Sequence, residues 1–172
     1  MSSAKEWFDI LSPEGKVVGK ATRDEVHGNP DLLHAVVHVH IINQHGDLFV
    51  QKRASNKDMF PDYWDTAVGG HVNSGETIQA ALHREAFEEL GIVSNQFDFA
   101  FNYIMRNSQE SELVNAFILK DDGPFIPNPD EISDARFWKI SEIEANLGKS
   151  IFTPNFEEEF EMLKKYKIIK KT

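Results

Sequence analysis

The sequence predicts an α+β fold in which strands form the centre and two or three helices pack on them. Three observations support this class: alternating β-branched segments recur along the chain, turn-forming residues separate them, and one segment has a helical period that ends at a glycine. The 172 residues are 41% hydrophobic, which suits a single domain spanning 1–172 with a sizeable core.

The first part of the chain is typical of two β-hairpins. The first pairs residues 6–11 with 16–22 across a Ser-Pro-Glu-Gly turn, and the second pairs 35–43 with 48–53 across Gln-His-Gly-Asp. Pro61, Asp62 and the Gly69-Gly70 pair then interrupt the pattern, so we expect irregular backbone there.

The second part of the chain predicts three helices and three strands. A helix from about Thr77 to Leu90 ends at Gly91, which can adopt the left-handed conformation of a helix C-terminus. The strands are expected at 97–106, 113–120 and 135–140, with loops at 107–112 and 123–129. Ser141 to Glu144 has capping-box spacing for a short helix, and Thr153-Pro154 opens a last helix with the apolar stripe Phe156, Phe160 and Leu163.

Composition restricts the classes of partner. The formal net charge is −10, with a pI near 5.1, so the average field repels nucleic acid and attracts divalent cations. The sequence shows neither an apolar run long enough to span a bilayer nor an export signal, and we expect no membrane partner. The absence of cysteine excludes thiolate chemistry and fits a cytoplasmic location, while a monomer and a homodimer are both compatible with the sequence.

The helix at 77–90 carries an unusual charge pattern. Its apolar face consists of Ile78, Ala81, Leu82, Ala86 and Leu90, and Glu85, Glu88 and Glu89 lie within or beside the same arc. Repulsion between these carboxylates in a half-buried place would destabilise the helix unless a cation lies among them. Oxygen ligands of this kind suit Mg²⁺ or Mn²⁺, whereas the alternative is a solvated acidic face.

The residues around this helix resemble the Nudix box, the signature of enzymes that hydrolyse a nucleoside diphosphate linked to another moiety. The box runs from Gly70 through Glu76 to Arg84-Glu85-Ala86-Phe87-Glu88-Glu89-Leu90-Gly91-Ile92, and only Ala86 departs mildly from it. The resemblance implies the Nudix fold, in which helices flank a mixed central sheet as an α/β/α sandwich, here with an N-terminal β-hairpin.

The same resemblance implies roles for the residues of the box. The carbonyl of Gly69 and the carboxylates of Glu85, Glu88 and Glu89 would hold Mg²⁺ or Mn²⁺, with Glu85 serving as a ligand or as the general base. Glu76 would pair with Arg84 and orient the ligands. The expected reaction is the metal-assisted attack of water on the diphosphate linkage of a small molecule.

Outside the box, residues 8–154 resemble isopentenyl-diphosphate isomerases and the Nudix proteins related to them. The carriers are His27, His34, Arg53 to Lys57, Pro61 to Trp64, Gly70-His71 and Glu110 to Glu112. The resemblance implies one further metal held by His27, His34, His71, Glu110 and Glu112, and a substrate diphosphate held by Arg53 and Lys57. The alternatives are structural histidines and plain surface charge, and we expect His38, His40, His45 and His83 to be structural or exposed.

Two departures favour hydrolysis over isomerisation. Gly69 stands where the isomerases have a catalytic cysteine, and Asn155 stands where they have a tryptophan that covers the carbocation. Glu112 could still serve as one of the two proton-transfer groups. Hydrolysis is therefore the prediction, with an isomerase-like enzyme and a non-catalytic nucleotide sensor as alternatives.

Substrate choice is expected to depend on segments outside the box, at 4–31 and 103–114. Phe101, Tyr103 and Phe117 could stack on a base or belong to the core.

Overall fold

The computed structural model describes residues 4–170, so the two ends of the expected 1–172 domain, residues 1–3 and 171–172, lie outside the described residues. The strands are β1 (Trp7–Leu11), β2 (Val17–Thr22), β3 (Leu33–Ile42), β4 (Leu48–Arg53), β5 (Trp64–Thr66), β6 (Val68–His71), β7 (Asp98–Arg106), β8 (Ser111–Lys120) and β9 (Ile132–Trp138). The helices are α1 (Arg23–Val26), α2 (Ile78–Leu90), α3 (Ile140–Asn146) and α4 (Pro154–Lys165).

Strand β3 is the hub of a mixed sheet. It pairs antiparallel with β1, β4 and β6, and parallel with β8 along its whole length. In this register His34 lies opposite Glu112, and His38 lies opposite Gly69 on the other side. The strand therefore brings residues from three distant parts of the chain to one place.

The side chains of β3 alternate between two environments. Val37, Val39 and Ile41 pack into the core that α2 covers, whereas His38 and His40 face the opposite side, where α4 lies. This alternation is the period of two that any strand imposes on its side chains. One strand thus supplies both apolar packing and polar chemistry.

Two apolar cores lie on opposite faces of the sheet. The first joins the sheet to α2 through Ala81, Leu82, Ala86 and Leu90, and the second joins it to α3 and α4 through Ile143, Phe156, Phe160 and Leu163. The predicted α+β class, the mixed sheet flanked by helices and the N-terminal hairpin of β1 and β2 are confirmed.

The ends of two helices follow the predicted chemistry. Thr77 Oγ1 accepts a hydrogen bond from the Ala80 N–H at 3.0 Å, and Gly91 ends α2 at φ 67°. Thr153 Oγ1 accepts from the Phe156 N–H at 3.2 Å, with Pro154 as the first residue of α4. The start of α3 was predicted wrongly: Ser141 lies inside the helix, and Glu142 accepts a hydrogen bond from the N–H of Lys139.

Several boundaries also differ from the prediction. The interrupted stretch contains β5 and β6, because antiparallel pairing with β4 and β3 holds even the Gly69-Gly70 pair in a strand. Strand β8 begins at Ser111, so Glu112 belongs to a strand and not to the expected loop. The short helix α1 was not predicted from the sequence; it has a capping box between Thr22 and Glu25.

Within residues 4–170, no helix is both long enough and apolar enough to cross a membrane.

Replacing Gly91 by alanine tests the left-handed end of α2. The substitution is unfavourable for two reasons: the backbone has a φ of 67°, which alanine rarely adopts, and the new Cβ would lie 3.3 Å from Ile126 Cβ. We expect the free energy of unfolding to fall by about 1–3 kcal/mol, measured by urea denaturation. Gly19→Ala is the control, because nothing lies within 4 Å of its Cβ position. Equal stability of the two variants would contradict this account.

Candidate active site

An open cavity of about 560 Å³ lies between β6, α2 and the loops that follow β4 and β7. Its walls contain every predicted site residue except His34 and Glu76: Gly69, Glu85, Glu88, Glu89, Arg84, His27, His71, Glu110, Glu112, Arg53 and Lys57. His34 stacks on the ring of His71, and Glu76 pairs with Arg84, so both contact residues of the wall. The fold therefore gathers all the predicted residues in one region.

The acidic face of α2 is pressed against β6. Glu89 is 8% exposed, and one of its carboxylate oxygens accepts a hydrogen bond from the Gly69 N–H at 2.9 Å. A Cβ on Gly70 would lie 2.1 Å from the carboxyl carbon of Glu85, so only glycine leaves room for that carboxylate. Glu88 lies at the rim, with 54% of its side chain exposed.

Arg84 holds this arrangement together. Its guanidinium makes two hydrogen bonds of 2.8 Å to Glu76, a third of 2.7 Å to Glu85 and a fourth of 2.9 Å to the carbonyl of His71. The contact between Arg84 and Glu76 was anticipated from the sequence, and it lowers the pKa of Glu76. Arg84 thus fixes Glu85 relative to β6.

The two inner carboxylates of α2 differ in their partners: Glu85 pairs with Arg84, whereas Glu89 forms no ion pair with a lysine or arginine among residues 4–170. Burial raises the pKa of Glu85 above its ordinary value, and burial together with the neighbouring Glu85 raises the pKa of Glu89 well above it. Two like charges this close in a desolvated place are costly to ionise. A divalent cation among them would remove that cost, and their oxygen donors suit Mg²⁺ or Mn²⁺.

A second cluster is built from the three predicted histidines and the two later glutamates. His27 Nε2 lies 3.3 Å from His71 Nε2 and 3.5 Å from a Glu110 carboxylate oxygen. One Glu112 oxygen lies 3.9 Å from His34 Nε2 and 4.0 Å from His71 Nε2. Two triads that share His34 have ligand atoms within 4.8 Å of one another: His27, His34 and His71, and His34, Glu110 and Glu112. Each triad could hold an ion, and mixed imidazole and carboxylate ligands suit Mn²⁺ or Zn²⁺ as well as Mg²⁺.

The orientation of the second cluster fits a cation. His34 Nδ1 donates to the carbonyl of Leu32 at 3.2 Å, which leaves Nε2 as a lone-pair donor. Among residues 4–170, neither the buried His34 Nε2 nor the buried Glu110 Oε2 has a hydrogen-bond partner. Phe8 stacks on the His71 ring at 4.7 Å and on the His34 ring at 5.6 Å, and so restrains both rings.

The protonation states of this cluster follow its burial. Burial lowers the pKa of His34 to about 4 and that of His71 well below its ordinary value, so both imidazoles are neutral at physiological pH. Burial, reinforced by Glu110, raises the pKa of Glu112 to about 8. Neutral imidazoles are ready to bind a metal, whereas Glu112 must first release a proton.

The predicted phosphate ligands lie on the cavity wall but are engaged with protein groups. Arg53 Nη1 lies 3.3 Å from Asp65 Oδ2, while its Nε donates to the carbonyl of Met59 at 3.1 Å. Lys57 Nζ pairs with Glu131. A substrate phosphate would have to share or replace these partners.

His38 was expected to be structural or exposed, and it is buried in contact with Glu159 of α4. It also lines the cavity, which the sequence did not predict. His38 lies two residues beyond Val36 and four beyond His34, so the three side chains share one face of β3. This period of two could have predicted that His38 lies on the same side of the sheet as the candidate ligand His34. His40 is buried, and His45 and His83 are exposed, as predicted.

The strand aromatics belong to the cores. Phe101 and Phe117 are 5% and 4% exposed and pack in the two apolar cores, and Tyr103 packs beside Phe101. Of the two roles considered for these side chains, core packing is the one the structure shows.

Comparisons with known proteins relate the whole arrangement to one family. The family model described as the NUDIX domain matches residues 32–157. The chain is 33% identical to an uncharacterized Nudix hydrolase of Listeria monocytogenes over 162 residues, covering 88% of this chain and 90% of that protein. It is 32% identical to isopentenyl-diphosphate Delta-isomerase 1 of Photorhabdus laumondii over 151 residues, covering 83% and 86%. A crystal structure from Deinococcus radiodurans superposes with a TM-score of 0.78 at 25% identity, covering 91% and 98% of the two chains.

The pKa of Glu112 predicts how metal binding depends on pH. Without metal, folded Glu112 keeps its proton to about pH 8, whereas the unfolded chain loses it near the ordinary value of 4.5. The free energy of unfolding therefore falls as pH rises between these values, and a bound cation, which needs the ionised carboxylate, reverses the loss. We expect Mn²⁺ to raise Tm more at about pH 8 than at about pH 5 relative to EDTA.

The control for this measurement is Glu112→Gln, in which the increment from Mn²⁺ should depend less on pH. An increment in the unaltered protein that is equal at both pH values, or larger at the lower one, would contradict the assignment.

Proposed function

The chain belongs to the Nudix family, in the branch that resembles isopentenyl-diphosphate isomerases, and we propose that it is a divalent-metal-dependent hydrolase of a small molecule containing a diphosphate linkage. The observation that carries this proposal is the approach of Glu85 and Glu89 to the glycine pair of β6, inside a cavity that also presents cationic side chains. The proposal is further supported by the glutamates of the Nudix box, which are all present, and by Gly69, which stands where the isomerases have their thiol.

The residues fit one or more Mg²⁺ or Mn²⁺ ions. The Gly69 carbonyl, Glu85, Glu88 and Glu89 would be the ligands, with Arg84 and Glu76 orienting them. When bound, such cations supply Lewis-acid polarisation of a phosphate and a more acidic water. Glu85 can serve as a ligand once it is ionised, or as the base that takes the proton of that water, and its raised pKa suits the second role.

Arg53 and Lys57 would bind the substrate diphosphate. Arg53 offers a planar fork that matches two phosphate oxygens, and Lys57 offers a point charge. Their present partners, Asp65 and Glu131, face the same cavity, so both cations can turn to a phosphate without leaving the wall. An anionic substrate thereby finds local positive charge in an otherwise acidic protein.

The wider properties of the protein follow the same proposal. We propose one domain, because both apolar cores are built on the same sheet. A small-molecule partner, in preference to nucleic acid, is supported by the net charge of −10. A cytoplasmic location is supported by the absence of cysteine, and a homodimer is compatible with the same features.

Glutamine variants test the hydrolase directly. Glu89→Gln removes a metal ligand but keeps the shape and the acceptor of the Gly69 N–H, so we expect the fold to survive while kcat falls by at least about a hundred-fold. Glu88→Gln should act in the same direction. The assay offers Mg²⁺ or Mn²⁺ with nucleotide sugars, dinucleotides, and nucleoside di- and triphosphates, and identifies products by mass.

Glu161→Gln is the matched control for that assay, because Glu161 is an exposed helical glutamate paired with Lys164, outside the cavity. Full activity in both Glu88→Gln and Glu89→Gln would refute the hydrolase. Silence of the unaltered protein with every substrate would favour a nucleotide sensor.

A second candidate function is isomerisation of an isoprenoid diphosphate. It is favoured by the second cluster of His27, His34, His71, Glu110 and Glu112, and by the similarity to an isomerase. Glu112 could transfer one proton, but Gly69 and Asn155 provide neither the thiol nor the covering indole. The reaction lacks one of its two proton-transfer groups.

Incubation with isopentenyl diphosphate in D₂O and Mg²⁺ separates the two candidates. We expect no dimethylallyl diphosphate and no deuterium in the recovered isoprenoid, because removal and delivery of a proton need two groups. Deuterated dimethylallyl product that disappears in Glu112→Gln would establish the isomerase in place of the hydrolase.

A further inference from the structure

One corner of the cavity is lined by polar side chains that have no part in the proposed hydrolysis. It lies where β5 meets the segment that leads into α4. We call it the polar corner, and it consists of Asp65, Thr66, Thr153 and Asn155.

Hydrogen bonds fix the shape of the polar corner. Residues 151–153 run parallel to β5, and two backbone hydrogen bonds of 2.9 Å join them to it. Asp65 Oδ1 accepts a hydrogen bond from Thr153 Oγ1 at 2.9 Å and another from the Thr66 N–H at 2.8 Å. Thr153 also caps α4, so Asn155, in the first turn of that helix, has a fixed position relative to Asp65.

The side-chain amide of Asn155 is available to a ligand. Asn155 is partly exposed on the cavity wall, and within the part of the chain that the structure describes its amide makes no hydrogen bond. An amide presents an acceptor oxygen and a donor nitrogen side by side. It can therefore bind a molecule in the cavity at two points without losing a bond to the protein.

A second group of the polar corner also lacks a partner. Thr66 is 2% exposed, and among residues 4–170 its buried hydroxyl oxygen has no hydrogen-bond partner. A buried polar group without a partner costs free energy. Because Thr66 belongs to the cavity wall, a polar ligand there would offer this hydroxyl the partner that the fold does not.

The cavity has little apolar surface for the remainder of a substrate. Within the described residues, the apolar side chains of its wall are those of Val36, Met59 and Phe60, and none of them belongs to the polar corner. A hydrocarbon group placed against the corner would remove the Asn155 amide from water without giving it a partner. A hydroxylated group avoids that cost.

We propose that Asn155 determines which group can be attached to the diphosphate: its Oδ1 accepts a hydrogen bond from one hydroxyl, and its Nδ2 donates to the neighbouring hydroxyl, of a vicinal diol such as those of ribose and hexoses. The position of the diphosphate at Arg53 rests on the proposed function. Arg53 pairs with Asp65, and Asp65 pairs with Thr153. The group esterified to a phosphate at Arg53 therefore lies on the side of the cavity where Asn155 is.

Two adjacent hydroxyls match the amide better than one. Each hydroxyl can donate one hydrogen bond and accept others, so a diol engages the donor and the acceptor of Asn155 together. A single hydroxyl leaves one of these groups unpaired, and a hydrocarbon leaves both unpaired. A site that binds hydroxyls in this way discriminates against analogues that lack them.

Two pairs of diphosphate analogues test the proposal, with Mg²⁺ present. In both pairs a methylene group replaces the bridging oxygen, which prevents hydrolysis. The pairs are α,β-methylene-ADP with its 2′,3′-dideoxy form, and glucose 1-methylenediphosphonate with its 2,3,4-trideoxy form. We expect the hydroxylated member of at least one pair to have a Kd about ten-fold lower by calorimetry, the effect of two neutral hydrogen bonds. The pair that shows this difference identifies the diol as that of a ribose or of a hexose.

Asn155→Leu assigns the difference to the amide. We expect the two members of the pair to bind this variant with nearly equal affinity. Its Tm, and its affinity for Mn²⁺ alone by electron paramagnetic resonance, should stay near the values of the unaltered protein, because the amide has no partner within the described residues. Asn102→Leu is the matched control: Asn102 is an exposed asparagine of β7 outside the cavity, and this variant should keep the ten-fold difference. A difference that survives in Asn155→Leu, or disappears equally in both variants, would overturn the proposal.

A measurement on the unaltered protein covers the case in which a variant fails to fold. In uniformly ¹⁵N-labelled protein, the hydroxylated analogue should shift the side-chain amide resonance of Asn155, and the deoxygenated analogue should not. Equal shifts with both analogues, or failure of the unaltered protein to prefer the hydroxylated member of either pair, would contradict the assignment. Cleavage of diphosphates without any preference for a diol would leave the hydrolase standing and remove this proposal. Binding of a diol through Asn155 without cleavage of any diphosphate would do the reverse.

Discussion

The close contact between α2 and β6 is the constraint on which the site depends. The Glu85 carboxylate occupies the space that a side chain on Gly70 would fill, and the neighbouring Gly69 N–H holds Glu89. The next residue of the strand, His71, gives its carbonyl to Arg84 and its ring to the second cluster. Three consecutive residues of one short strand thus set the relative positions of both groups of candidate ligands.

The buried carboxylates fall into two kinds. Glu159 has its positive partners within the chain, and its pKa is lowered to about 2. Burial raises the pKa values of Glu89 and Glu112, and the neighbouring carboxylates Glu85 and Glu110 raise them further. A carboxylate satisfied by the fold contributes to structure, whereas one left short of charge indicates a cation from outside.

The sequence predicted what local chemistry determines. Residues close together in the sequence determine the helix α2, its end at Gly91 and the acidic pattern of its face. Local signals of this kind also predicted the fold class. Strand β6 was missed because pairing with β3, and not local propensity, keeps glycines extended. The contact of His38 with Glu159 was not predicted, because Glu159 lies 121 residues further along the chain.

Strand β3 also limits how this protein can change over evolution. Val37, Val39 and Ile41 fill one core, while its histidines face the opposite side of the sheet. Insertion or deletion of one residue would therefore exchange the two sets and bury imidazoles in the apolar layer under α2. Point substitution is the route left open within this strand. Variation in length is confined to the turns outside it, such as the one between β1 and β2, where a change leaves the pairing of β3 intact.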